Sequence, residues 1–93
     1  MDKRLARDLL RSELGSYRSL SYAALVQMLD EPVHKEVVGP DGRAYQIEVQ
    51  VFWDGKPGDN VRVLASIDDG GWRAFCPLTD DFILSPTGAF VGE

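Results

Sequence analysis

The sequence predicts a two-layer α+β fold, with two N-terminal helices packed on one face of an antiparallel β-meander of four to five strands. Three observations carry this expectation. Apolar residues repeat with a helical period up to Asp30, and beyond Pro32 the period becomes two. The strand-like stretches are joined by connections too short for the crossover a parallel pair needs. Ninety-three residues correspond to one domain, divided into a helical hairpin over 1–30, a meander over 33–85 and a tail over 86–93.

The first helix is expected from Asp2 to Leu14, where Leu5, Ala6, Leu9, Leu10 and Leu14 form an apolar stripe. Arg4, Arg7, Asp8, Arg11 and Ser12 make the polar face. Gly15 stands where a helix C-terminus favours a residue free to take positive φ. A second helix is expected from Tyr22 to Leu29, with Tyr22, Leu25, Val26 and Leu29 on one face. Ser21 is placed to cap it, and Leu20 and Leu25 have the spacing of a hydrophobic staple. Pro32 closes the helical region.

Five strands are predicted, at 33–38, 43–53, 61–68, 71–76 and 81–85. In the second, Tyr45, Ile47, Val49, Val51 and Trp53 alternate with Ala44, Gln46, Glu48, Gln50 and Phe52; Val61, Val63, Ala65 and Ile67 continue the pattern in the third. The turn chemistry predicts registers. In GPDG (39–42), proline's fixed φ excludes a type I′ turn and favours a type I turn with Gly42 left-handed. That turn pairs Gly39 with Arg43, Val37 with Tyr45, Lys35 with Ile47 and Val33 with Val49. Asp69-Gly70 suits a two-residue primed turn, pairing Ile67 with Trp72, Ala65 with Ala74 and Val63 with Cys76.

The stretch IDDGGWRAF (67–75) has the residue types of a binding loop but is read as this hairpin. A phosphate cradle leads into a helix N-terminus, and a β-rich segment follows here. A calcium loop of the EF-hand kind needs alternating oxygen ligands and a closing glutamate, which are missing.

Apolar content of 44% with 27% charged residues belongs to globular rather than disordered chains. The uninterrupted apolar runs are too short to span a membrane. Acids interrupt the N-terminal bases and no apolar core follows, so no secretory signal is expected. The lone Cys76 forms no internal disulfide, which favours a reducing, cytoplasmic setting. Net charge is −5. Residues 1–18 hold five bases and three acids, +2; the rest hold five bases and twelve acids, −7. An acidic body disfavours nonspecific nucleic-acid binding.

Catalytic constellations are not evident. His34 and Cys76 are predicted on opposite sheet faces, and neither a Walker lysine nor a nucleophile elbow occurs. The second helix has no Lys or Arg, as a DNA-reading helix would. No cofactor and no enzyme activity are expected. The predicted outer sheet face is more informative: Phe52, Leu64 and Phe75 form an apolar patch among Glu48, Gln50, Arg62 and Arg73. Aromatic and arginine residues so mixed resemble a protein-binding surface, unless the C-terminal SPTGAFVGE folds over it with Phe90 and Val91. The expected function is a small, non-enzymatic protein-interaction module that binds a protein partner or a second copy, as in a homodimer. The alternative is a divalent-cation or small-molecule binding domain built on Asp54, Asp59, Asp80 and Asp81, placed by the meander in loops at one end. Aspartate is also an ordinary turn residue.

Overall fold

The structure, a computed structural model, describes residues 2–70 and 77–93. Four strands, β1 (Val33–Val38), β2 (Ala44–Trp53), β3 (Val61–Asp68) and β4 (Leu78–Leu84), form one antiparallel sheet in the order β1-β2-β3-β4. A long helix, α1 (Lys3–Arg18), packs on one face. Asp2 caps it, its Oδ1 accepting from the Arg4 and Leu5 amides at 3.0 and 3.1 Å.

The helix runs four residues beyond the expected Leu14. Gly15 does not end it, because Tyr17 is 9% exposed against the sheet. A glycine inside a helix costs about 1 kcal/mol relative to alanine, while burying most of a tyrosine contributes about 2 kcal/mol or more. Long-range burial outweighs the local stop signal.

The expected second helix, 22–29, is reduced to the short segment α2 (Tyr22–Val26). Ser21 caps it as expected, its Oγ accepting from the Ala24 amide at 3.1 Å. Beyond Val26 the bonds tighten: the Met28 and Leu29 amides donate three residues back, to Leu25 and Val26. Leu29 then forms an isolated bridge with Val51, and Asp30 takes φ of 60°. Attachment to β2 therefore ends the helical run before the amphipathic pattern does.

The first hairpin has the expected register, with Val33 opposite Val49, Lys35 opposite Ile47 and Val37 opposite Tyr45. Gly42 has φ of 78°, and its amide donates to the Gly39 carbonyl at 2.9 Å. Gly39 is required for a different reason: a Cβ there would stand 2.8 Å from Asp41 Oδ1 and 3.0 Å from the Tyr45 ring.

The chain after β3 departs from expectation. The predicted strand 71–76, with the places of Trp72, Ala74 and Cys76, lies outside the described residues. The β3 edge assigned to it is occupied by β4, with Ile67 opposite Leu78, Ala65 opposite Asp80 and Val63 opposite Phe82. Gly70 has φ of 79°, whereas Asp69 is not at positive φ, so the two residues do not make the primed turn. The final strand begins three residues earlier than predicted. Leu78, Phe82 and Leu84 point inward because they stand opposite the inward Ile67, Val63 and Val61.

The inner layer is the core. Tyr45, Ile47, Val49, Val51, Val61, Val63, Ala65, Ile67, Phe82 and Leu84 of the sheet are buried against Ala6, Leu10, Leu14, Tyr17 and Leu25. After β4 the chain turns at Ser85–Ala89 and doubles back. Leu84 bridges Phe90, and the Val91 amide donates to the Ile83 carbonyl at 2.9 Å. The Phe90 ring meets Phe82 edge-on at 5.7 Å, and the Arg18 guanidinium lies 5.0 and 4.9 Å from the two rings. Arg18 also pairs with Glu93 at 2.9 Å. The tail thus follows the β4 edge: Phe90 lies on the helical side and does not cover the outer face, while Val91, bonded to Ile83, reaches only the margin of that face.

Candidate functional site

Strand alternation places His34, Glu48, Ser66 and Thr79 in one cross-strand row of the outer face. Gln50, Leu64 and Asp81 make the next row, and Phe52, Arg62 and Ile83 the third. Leu64, Phe52 and Ile83 are each half-buried and surround Arg62 on neighbouring positions. Four of the predicted surface residues, Glu48, Phe52, Arg62 and Leu64, are brought together here. Arg73 and Phe75 lie outside the described residues.

Arg62 organises this end of the face. Its Nη2 and Nε donate to Asp54 Oδ1 at 3.0 and 3.3 Å, and its Nη1 donates to Asp81 Oδ2. The hydrogen bond to Asp54, opposed by partial desolvation and helped by the charges of Asp54 and Asp81, holds the guanidinium above its ordinary pKa. The planar fork spans two acceptors on either side of β3, Asp54 in the loop just after β2 and Asp81 in β4. Farther along, His34 Nε2 stands 3.2 Å from Glu48 Oε2, and Gln50 Nε2 donates to Glu48 Oε1 at 3.0 Å. Glu48 and Arg62 therefore carry the polar contacts of a face whose half-buried apolar side chains are Phe52, Leu64 and Ile83.

The four aspartates of the cation alternative are dispersed. Asp54 and Asp81 meet across Arg62, which offsets part of their charge. Asp59 sits in the loop between β2 and β3, where its carbonyl accepts from the Tyr22 hydroxyl at 2.7 Å. Asp80 and Asp81 are in β4 rather than in a loop, and Asp80 faces the helical side opposite Ala65. Among the described residues no three His, Cys, Asp or Glu side chains gather as a metal site.

Ile83 and the Asp54–Arg62–Asp81 network were not anticipated. Both depend on β4 pairing directly with β3. The alternating hydropathy of LTDDFIL, with Leu78, Phe82 and Leu84 two or four apart, was the signal available for it.

No family model, no curated protein and no solved structure matches this chain. Among the described residues, no helix is long and apolar enough to cross a membrane.

Proposed function

We propose that this protein is a small, non-enzymatic interaction module that binds a protein partner or a second copy of itself through the outer sheet face. Phe52, Leu64 and Ile83 would provide desolvated anchors, with Glu48 and Arg62 orienting the partner. Arg73 and Phe75 remain candidate members of the surface. The observation that carries this reading is the arrangement of layers. The helix packs on the inner face and Phe90 packs on Phe82, so neither covers the row that holds Phe52, Arg62 and Ile83. The cation-binding alternative has less support, since Arg62 already occupies the space between Asp54 and Asp81.

Concentration-dependent light scattering, with capture of bound proteins, tests the proposal on wild type and on Phe52→Asp and Leu64→Asp. The expected result is loss of self-association or of partner capture in both variants, with the circular dichroism spectrum retained. Unchanged assembly and unchanged capture in folded variants would sink it.

A further inference from the structure

Four of the five cations of α1 are unlike most others in the molecule. Lys3, Arg4, Arg7 and Arg11 are all exposed, and at 3.6 residues per turn they fall within one sector of about 100°. Arg18, Lys35, Arg43 and Arg62 each stand against a carboxylate. Among the described residues the four side chains of the helix make no ion pair or hydrogen bond. Shortage of acid does not explain this, because the chain has fifteen acidic and ten basic residues. Lys56 is also unpaired among the described residues, but it stands alone in a loop.

Their position is also unfavourable for the helix. Beyond the Asp2 cap, the first turn holds Lys3 and Arg4 and no acid, at the end where the helix dipole is positive and repels cations. Neither packing nor an ion pair among the described residues calls for this stripe, and such departures from local consistency tend to mark functional surfaces.

We infer that the basic stripe of α1 docks a short acidic segment of a protein partner. Lys3, Arg7 and Arg11 recur every four residues, a rise of about 6 Å per step, which matches carboxylates spaced the same way on a partner helix. An extended polyanion is a poorer fit. Asp8 lies in the same recess as the stripe, Asp80 lies beside Arg7 and Arg11, and the chain beyond residue 18 carries five bases and twelve acids, −7. Nucleic acid would run its phosphates past those charges. A bilayer is disfavoured because the apolar side of α1, with Ala6, Leu10 and Leu14, is buried on the sheet and has nothing left to insert.

Fluorescence anisotropy with a labelled glutamate-rich peptide at low salt tests this, with single-stranded DNA and phosphatidylserine vesicles as competing probes. Saturable peptide binding is expected, weakened about tenfold or more by Arg7→Glu combined with Arg11→Glu. Lys56→Glu should leave it unchanged, as should Leu64→Asp, which separates this surface from the outer sheet face. Arg4→Glu supplies a second readout: it should weaken peptide binding while raising the Tm, because it places an acid in the first helical turn. Absence of peptide binding at millimolar concentration overturns the inference. So does tighter binding of DNA or vesicles than of peptide, or a lowered Tm for Arg4→Glu, which would make the stripe a requirement of the fold.

Discussion

The two faces of the sheet are organised by different forces. On the inner face, every residue of β2 and β3 from Tyr45 to Val51 and from Val61 to Ile67 that points toward α1 is apolar and buried. No polar or charged residue is buried among the described residues. On the outer face the same strands present Glu48, Gln50, Arg62 and Ser66 beside Phe52 and Leu64, and the side chains of Arg62, Asp54 and Asp81 keep about a third of their surface in water. Burial on one face supplies stability, whereas solvated ion pairs on the other contribute little. The fold is therefore secured from one side, and the other contributes little to stability.

The largest effect expected from breaking this contrast is in the core. Leu10, 1% exposed beneath the helix, should cost about 2–5 kcal/mol on substitution by alanine, read as a lower urea midpoint at unchanged slope. A loss below about 1 kcal/mol would mean that the inner layer is not what holds the domain.

An intermediate effect is expected at the end of the first hairpin. The Tyr45 hydroxyl donates to Asp41 Oδ2 at 2.8 Å, and the Arg43 amide donates to Asp41 Oδ1 at 3.1 Å. Desolvation pushes the Asp41 carboxyl up, but these hydrogen bonds outweigh it and its pKa is lowered. A carboxylate with a lower pKa folded than unfolded adds stability above the ordinary carboxylate range. That stability is lost as pH falls through the lowered folded-state value. Asp41→Asn should be less stable than wild type at neutral pH, with the two curves converging in acid. A gap that stays constant with pH would show that Asp41 acts only as a turn residue.

The smallest effect belongs to the outer face. Replacing Arg62 by methionine keeps a long apolar stem over the sheet and leaves Asp54 and Asp81 in partial contact with water. The Tm should shift by no more than about 4 °C. A larger fall would make the ion network part of the structural core and dissolve the contrast between the faces.

Much of this arrangement was legible in the residues. The alternation from Tyr45 to Trp53 and from Val61 to Ile67 placed the inner and outer sets correctly, because a period of two leaves only a choice of side. The GPDG register followed from proline's φ and a glycine able to turn left-handed. On the candidate surface, the shared face of Glu48, Gln50, Phe52, Arg62 and Leu64 was legible from the same alternation. The Asp54–Arg62–Asp81 network was not, since it joins a loop, a central strand and an edge strand far apart in the chain.

The sequence by itself determined which side of each strand is apolar and how β1 meets β2, because both are set by contacts a few residues apart. Only the tertiary structure decided that α1 continues through Gly15, that α2 stops at Val26, and that β3 takes Leu78–Leu84 as its second neighbour. Each of those outcomes is chosen by distant surface, namely the sheet beneath Tyr17, the bridge from Leu29 to Val51, and the seat of Phe82 and Leu84 beside Val63 and Val61. Local propensity differs by about 1 kcal/mol among such choices, and burial of a single large side chain exceeds it.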